Sequence, residues 1–226
     1  MLAISLKNLL KDLVSYQGDD LEITGISCDS RKIKAGNLFV AISGKNLSGH
    51  DYAVKAQENG AIAVLSNEVL KDLEVKNIVV SSDIRELYTI LVNRFYSNPT
   101  SKLQSIAVTG TNGKTSTAWI TSRILYYLGQ KNVLAGTLGL GLSASDLNLD
   151  KFIQTNNTTP IAEDLYQCIN QFPELNSLSM EVTSQGLAQN RTTGFNWDVA
   201  VFTNLTRDHL DSVSYTHLTL PTICSV

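Results

Sequence analysis

The chain has 226 residues, of which 43% are apolar and 17% are charged, and its formal net charge is −3 at pH 7. This apolar fraction is sufficient for a buried core, and a slightly negative chain without a run of Lys or Arg argues against a nucleic-acid-binding surface. The three cysteines, Cys28, Cys168 and Cys224, lie far apart without CxxC spacing, which argues against a disulfide framework and against a zinc site.

The first sixteen residues (MLAISLKNLLKDLVSY) mix apolar residues with Lys7, Lys11 and Asp12. This pattern predicts an amphipathic helix over residues 1–16 and not a secretory signal peptide. No segment approaches the ~20 consecutive apolar residues that a membrane-spanning helix needs. We therefore expect a cytoplasmic protein, monomeric and without a membrane or nucleic-acid partner.

Short apolar runs alternate with helical patterns over the first hundred residues. We predict strands at residues 37–42, 61–65 and 77–80, and a helix at residues 50–59 that ends at Gly60. Residues 83–96 have one apolar face at helical spacing, and Asp83 with Glu86 forms a capping signal. The pattern indicates a small amino-terminal α/β domain over residues 1–98, with its boundary in the polar segment 97–102.

A second α/β pattern follows. We predict strands at residues 106–109, 132–137, 177–182 and 197–205, with helices at residues 115–128 and 160–172. A mostly parallel sheet with crossover helices, over residues 99–211, is the simplest interpretation. Residues 212–226 contain no Asp, Glu, Lys or Arg, and we expect this tail to be non-native.

The strongest motif lies at residues 105–117, SIAVTGTNGKTST. An apolar strand leads into a glycine-rich turn and then a helix, so backbone N–H groups and the helix N-terminus can surround a phosphate. Lys114 can contact the β- and γ-phosphates, and the Thr115 hydroxyl can ligate Mg²⁺. Val108 stands where the usual motif has its first glycine, so this is a shorter phosphate-binding loop. It predicts a nucleoside triphosphate site.

Two further polar positions follow predicted strands. Glu181 ends the apolar run 178–182, where a carboxylate can reach a metal at the phosphates, although a solvated strand-end acid is an equal alternative. The segment NLTRDHLD places Asn204, Asp208, His209 and Asp211 after another strand. Such strand ends line the ligand crevice of open α/β sheets.

These motifs, in this order, resemble the Mur ligase family and specifically its MurE type, the UDP-N-acetylmuramoyl-tripeptide synthetases. The resemblance runs from about residue 26 to residue 211, through a CDSRKIKAGNLFVAISGKNLSGH segment, TGTNGKTS, NNTTP, MEVTSQGLAQNR and TNLTRDHLD. It implies an amino-terminal uridine-nucleotide domain followed by an ATP-binding domain with a P-loop. It also implies an ATP-dependent amide ligase that adds a diamino acid to UDP-MurNAc-L-Ala-D-Glu in peptidoglycan precursor synthesis.

The resemblance implies a role for each matching residue. ATP would be bound by the loop residues Gly110, Thr111, Asn112, Gly113, Lys114, Thr115 and Ser116. The UDP-muramoyl-dipeptide would be contacted by Cys28, Ser30, Lys45, Asn46, Leu47, Asn157, Thr158, Thr159, Thr183, Ser184, Gln189 and Arg191. Mg²⁺ would be held by Thr115, Glu181 and His209, and Lys114, Glu181 and His209 would form the catalytic set.

The sequence departs from the family pattern at two places. Many relatives have Ser-Ser-His where this chain has Thr183-Ser184-Gln185, so a histidine contact is lost or replaced. After DHLD the expected aromatic-His-Gly stretch and the lysine that becomes carbamylated are replaced by the tail. We therefore expect the amino-acid-binding carboxy-terminal domain to be absent and this chain alone to form no amide product.

Three alternative interpretations remain open at this stage. A MurF-type ligase shares the first domain and the P-loop, but NNTTP and MEVTSQGL favour the MurE type. A folylpolyglutamate-synthase-like enzyme would lack the domain that precedes the P-loop. A non-catalytic fragment that binds UDP-muramoyl peptide or ATP is the alternative outside the enzyme class.

Overall fold

A computed structural model describes residues 2–43, 49–144 and 149–205 of the chain. The chain divides into two compact units, Met1–Asn98 and Pro99–Val226. Each contains a largely parallel sheet with helices, so the predicted α/β class is confirmed. No helix among the described residues is both long enough and apolar enough to cross a membrane.

The amino-terminal segment is not the single helix that the sequence predicts. It forms a short strand β1 (Ile4–Ser5), a helix α1 (Leu6–Leu10) and a second strand β2 (Glu22–Ile23) antiparallel to β1. Asp20 sets this arrangement, because its carboxylate accepts a hydrogen bond from the Ser5 hydroxyl at 2.8 Å and one from the Lys7 N–H at 3.0 Å. The helix stops near Lys11 because Asp12 has a positive φ of 62°.

The first unit is built on a four-stranded parallel sheet. Its strands are β3 (Gly25–Ser27), β4 (Asn37–Val40), β5 (Ala61–Ser66) and β6 (Lys76–Val79), in that spatial order. Three of the four confirm the sequence prediction. The prediction missed β3, which is only three residues long and begins with glycine.

Two helices complete the first unit. Helix α2 (Ala53–Glu58) follows a 3₁₀ turn at Gly49–Tyr52, which together confirm the helix predicted before Gly60. Helix α3 (Ile84–Phe95) buries its apolar face and begins at Asp83, whose carboxylate accepts the N–H of Arg85 at 2.8 Å. The predicted capping signal at Asp83 is therefore confirmed.

The second unit is built on a five-stranded sheet. Along the chain it comprises β7 (Gln104–Thr109), α4 (Lys114–Tyr127), β8 (Asn132–Gly136), β9 (Gly139–Leu142), α5 (Ala162–Asn170), β10 (Ser177–Glu181), α6 (Ser184–Ala188) and β11 (Val199–Phe202). The strands lie side by side in the order β11-β7-β10-β8-β9. All pairings are parallel except that of β8 with β9. The carboxyl ends of β7, β8, β10 and β11 therefore meet at one edge of the sheet.

The sequence prediction missed strand β9, which returns from β8 through the two-residue connection at residues 137–138. Its sequence GLGL contains two glycines, which are rare in strands. Packing explains the glycine at position 141, because a Cβ there would lie 2.7 Å from the ring of Phe152. The predicted strand 197–205 is shorter in the structure, and the tail 212–226 lies outside the described residues.

Candidate active site

The glycine-rich loop joins β7 to α4, as the sequence predicts. Gly110 has a φ of +128° and Gly113 a φ of +83°, which are left-handed conformations that side chains with a Cβ rarely adopt. A Cβ on Gly110 would also lie only 2.2 Å from the hydroxyl of Thr203. Both glycines are therefore required by this loop, and their backbone turns the chain directly into the first turn of α4.

Lys114 folds back over this loop. Its ammonium Nζ donates to the carbonyl of Gly110 at 2.7 Å and to the carbonyl of Thr111 at 2.9 Å. The positive charge thus lies at the N-terminal end of α4, where the helix dipole adds positive potential. An anion is the group that this arrangement attracts.

Two residues directly after strand β11 also hold the loop in place. The Thr203 hydroxyl donates to the carbonyl of Asn112 at 2.6 Å, and the Asn204 side chain both accepts from the Asn112 N–H and donates to its carbonyl, each at 3.0 Å. The sequence singles out Asn204 but misses Thr203. The sequence signal that could have identified Thr203 is the polar pair Thr203-Asn204 directly after an apolar strand.

Glu181, at the end of β10, is 1% exposed. Its Oε1 accepts the N–H of Thr137 at 2.8 Å, and its Oε2 accepts the hydroxyl of Thr115 at 2.9 Å and that of Thr137 at 3.2 Å. The structure therefore brings together Thr115 and Glu181, which the sequence assigns to one metal site. A buried carboxylate needs such donors because desolvation otherwise penalises its charge.

The sequence misses two residues that surround Glu181. Thr137 follows β8, and Gly136 leaves the space into which the carboxylate fits, since a Cβ there would lie 2.2 Å from Glu181 Oε1. The only local signal was a Gly-Thr pair at the end of a buried apolar strand.

The donor set fits Mg²⁺. The Thr115 hydroxyl and the Glu181 carboxylate present adjacent oxygen atoms beside the phosphate-binding loop, and hard oxygen donors are those that Mg²⁺ prefers. Within residues 2–43, 49–144 and 149–205, no group of three His, Cys, Asp or Glu side chains could form a metal site of its own. His209, the third predicted ligand, lies outside the described residues.

The NNTTP segment meets the same sheet edge. The Thr159 hydroxyl is buried, donates to the backbone carbonyl of Glu181 at 3.1 Å and accepts the N–H of Thr183 at 2.8 Å. Thr183 begins α6 by accepting the N–H of Gly186 at 3.0 Å. The half-buried Thr158 lies with its hydroxyl 3.2 Å from that of Thr137.

The remaining predicted substrate residues of the second unit lie beside this segment. Arg191 donates through Nη1 to the carbonyl of Thr159 at 2.7 Å and through Nη2 to Gln189 Oε1 at 2.6 Å. Asn157 and Ser184 are half-buried. The structure thus joins two distant segments of the sequence through the hydrogen bond from Arg191 to the carbonyl of Thr159.

In the first unit, Ser30 lies in a 3₁₀ turn at Ser30–Lys32 and is buried, and its carbonyl accepts the Asn59 side-chain amide at 2.8 Å. Cys28 beside it is half-buried. The Arg31 guanidinium pairs with Asp29 at 2.7 Å and holds the pKa of that carboxyl below its usual value. Lys45, Asn46 and Leu47 lie outside the described residues.

Comparison with protein families gives two matches in chain order. Residues 22–107 match the model described as "Mur ligase family, catalytic domain", and residues 108–219 match "Mur ligase middle domain".

Curated relatives include the UDP-N-acetylmuramoyl-L-alanyl-D-glutamate–2,6-diaminopimelate ligase of Bacillus cereus, 39% identical over 209 residues, and that of Xylella fastidiosa, 36% identical over 213 residues. Each alignment covers 92% of this chain but only 41% of the relative, so the chain spans about two fifths of the length of these enzymes.

Solved structures give the same result. A solved UDP-N-acetylmuramoyl-L-alanyl-D-glutamate–2,6-diaminopimelate ligase superposes with a TM-score of 0.73 at 26% identity, over 94% of this chain and 42% of the other. A MurF structure from Acinetobacter baumannii superposes with a TM-score of 0.55 at 21% identity, over 81% of this chain and 37% of the other, which shows a shared fold.

Proposed function

The chain belongs to the Mur ligase family, and we propose that it serves in the ATP-dependent addition of a diamino acid to UDP-MurNAc-L-Ala-D-Glu, a cytoplasmic step of peptidoglycan precursor synthesis. The observation that carries the proposal is the meeting of the Thr115 hydroxyl with the Glu181 carboxylate, 2.9 Å apart, at the end of a phosphate-binding loop. The names of the two curated relatives described above supply the substrate class.

The second unit would bind ATP. The loop from Gly110 to Ser116 offers backbone N–H groups, and the Lys114 ammonium can exchange its carbonyl partners for phosphate oxygens. Thr115 and Glu181 would hold Mg²⁺, with His209 as the predicted third ligand. When bound, Mg²⁺ neutralises charge on the phosphate groups during transfer.

The reaction would proceed in two steps. A carboxylate oxygen of the terminal D-Glu attacks the γ-phosphorus of ATP, so an acyl phosphate forms and ADP leaves. The amine of the diamino acid then attacks the acyl carbon, phosphate leaves, and the nitrogen loses a proton to give the amide. Lys114 would contribute by stabilising the negative charge that develops on the transferred phosphoryl group.

The peptide-bearing substrate would approach from the NNTTP side. Thr158, Gln189 and Arg191 are partly exposed there, and the Arg191 fork suits a carboxylate or a phosphate. Asn157 and Ser184 offer neutral hydrogen bonds. The burial of Thr159 supports a role in holding Thr183 in place.

The first unit would bind the uridine nucleotide of the same substrate. The contacting residues would be Cys28, Ser30, Lys45, Asn46 and Leu47.

Nucleotide binding by the 226-residue chain tests the proposal. We expect calorimetric titration to show ATP binding that Mg²⁺ strengthens, and Lys114→Ala to abolish it, because the loop then lacks its only lysine. Lys102→Ala removes a lysine outside the loop and serves as the control. Equal ATP affinity of Lys114→Ala and the unchanged chain would refute the P-loop assignment.

A second titration separates the MurE type from the MurF type. We expect the chain to bind UDP-MurNAc-L-Ala-D-Glu in preference to the corresponding tripeptide, which is the MurF substrate. A preference for the tripeptide would favour the MurF alternative.

A further inference from the structure

We propose that Thr137 is a positioning residue, which orients the Glu181 carboxylate for Mg²⁺-dependent nucleotide binding and links it to the NNTTP segment. This inference rests on the proposed function. Thr137 belongs to none of the motifs by which the sequence resembles the family.

Thr137 contacts both oxygens of the carboxylate. Its backbone N–H donates to Glu181 Oε1 at 2.8 Å, and its hydroxyl donates to Oε2 at 3.2 Å. Two contacts from one residue fix both the position and the rotation of a carboxylate, whereas a single contact leaves the rotation free. The second oxygen is the one that also accepts from Thr115.

The backbone of Thr137 is itself held by the turn between β8 and β9. Gly136, which ends β8, pairs with Gly139, which begins β9. Thr137 is therefore the first residue of the two-residue connection between them. This pairing fixes the direction of the Thr137 N–H. Because Gly136 has no Cβ, the carboxylate can reach that N–H.

The Thr137 hydroxyl also connects the carboxylate of Glu181 to the NNTTP segment. Thr137 Oγ1 lies 3.3 Å from Thr115 Oγ1 and 3.2 Å from Thr158 Oγ1. A hydroxyl has one proton, so when Thr137 donates to Glu181 it must accept from Thr158. Thr137 therefore joins the phosphate-binding loop to NNTTP through one side chain.

The position is suited to a clean test because Thr137 is exposed. Thr137→Val keeps the β-branched shape and the backbone N–H and removes only the hydroxyl. Thr137→Ser restores a hydroxyl. Thr121→Val, within α4, removes a hydroxyl outside this network and is the matched control.

The experiment measures the affinity of each variant for ATP with Mg²⁺ and with EDTA, together with the thermal unfolding midpoint. We expect Thr137→Val to weaken binding in Mg²⁺ by about tenfold, as loss of a residue that orients a metal ligand typically does. In EDTA its affinity should equal that of the unchanged chain. Thr137→Ser should recover most of the loss, and the unfolding midpoints should stay together.

The remaining outcomes are also decisive. Wild-type affinity of Thr137→Val in Mg²⁺, or an equal loss in Mg²⁺ and EDTA, would overturn the positioning role while leaving the proposed function intact. Absence of any Mg²⁺-dependent ATP binding by the unchanged chain would overturn both.

Discussion

At the scale of single residues, the candidate site depends on keeping one carboxylate charged and oriented inside the protein. Glu181 is almost completely buried, and three hydrogen-bond donors replace the water that it loses. Removing a hydrogen-bond partner from a buried polar group lowers the free energy of unfolding by about 1–3 kcal/mol, and the loss is larger when the group is charged. The residues around Glu181 are therefore as important as Glu181 itself.

Gly136 gives a prediction at this scale. We expect Gly136→Ala to lower the free energy of unfolding by about 1–3 kcal/mol, because the added methyl group would lie within 2.2 Å of Glu181 Oε1 and must displace the carboxylate. Urea unfolding measures the effect.

The same substitution in a Glu181→Ala background is the control, because the methyl group then has no carboxylate to displace. We expect the added cost of Gly136→Ala to fall to a few tenths of a kcal/mol there. An undiminished cost in that background would show that backbone strain, and not the carboxylate, causes the destabilisation.

At the scale of elements, helix α5 carries two buried side chains whose pKa values are raised by burial. Burial raises the pKa of the Cys168 thiol to about 11 and that of the Tyr166 phenol to about 12. Tyr166 also stacks on Phe195 with ring centroids 5.7 Å apart. Both side chains must stay neutral for α5 to pack, although the unfolded chain ionises them at their ordinary, lower pKa values.

These shifts predict an alkaline loss of stability. Above pH 9 the unfolded chain releases the Cys168 proton while the folded chain retains it, so stability falls as the pH rises from about 9 to about 11. We expect Cys168→Ala to lose about 2 kcal/mol less than the unchanged chain over this interval. Urea unfolding at a series of pH values measures the difference.

Cys28→Ala, which removes the half-buried thiol of the first unit, is the comparison variant. A change of alkaline slope that is confined to Cys168→Ala would assign the loss to the buried thiol of α5. Identical alkaline slopes for Cys168→Ala and the unchanged chain would contradict the assignment of this loss to α5.

At the scale of the whole molecule, the second unit exposes several large apolar side chains. On α4, Ile120, Ile124 and Tyr127 are 50%, 54% and 76% exposed. On β11, which is an edge strand among the described residues, Val199 and Phe202 are about half exposed. Large exposed apolar side chains and sheet edges both favour association between molecules.

In contrast to the monomer that the sequence leads us to expect, these exposed side chains predict concentration-dependent self-association of the chain, which Ile124→Glu reduces without changing the unfolding midpoint. Sedimentation velocity over a concentration series measures it. Thr121→Glu adds the same charge to the same helix and should have the smaller effect. Equal effects of the two substitutions would assign the change to charge and not to the loss of apolar surface.

The sequence by itself determined the features that depend on neighbouring residues. The periodicity of α3, its Asp83 cap and the glycine-rich loop before Lys114 are each contained within about fifteen residues, so their spacing alone specifies them. The alternation of strand and helix patterns predicted the α/β class, and the order of the family motifs added the candidate roles of Glu181 and Arg191. The amino-terminal strand pair was missed because Ser5 and Asp20, which set it, lie fifteen residues apart.

Only the tertiary structure decided which strand ends share the site. Thr115, Thr137 and Glu181 are separated by 22 and 44 residues, and Thr203 lies 91 residues from Asn112. They meet because the sheet places β8 beside β10, β10 beside β7 and β7 beside β11, in parallel. That order is set by hydrogen bonding and packing between distant segments. No local spacing encodes it, which is why Thr137, Gly136 and Thr203 emerged only from the folded chain.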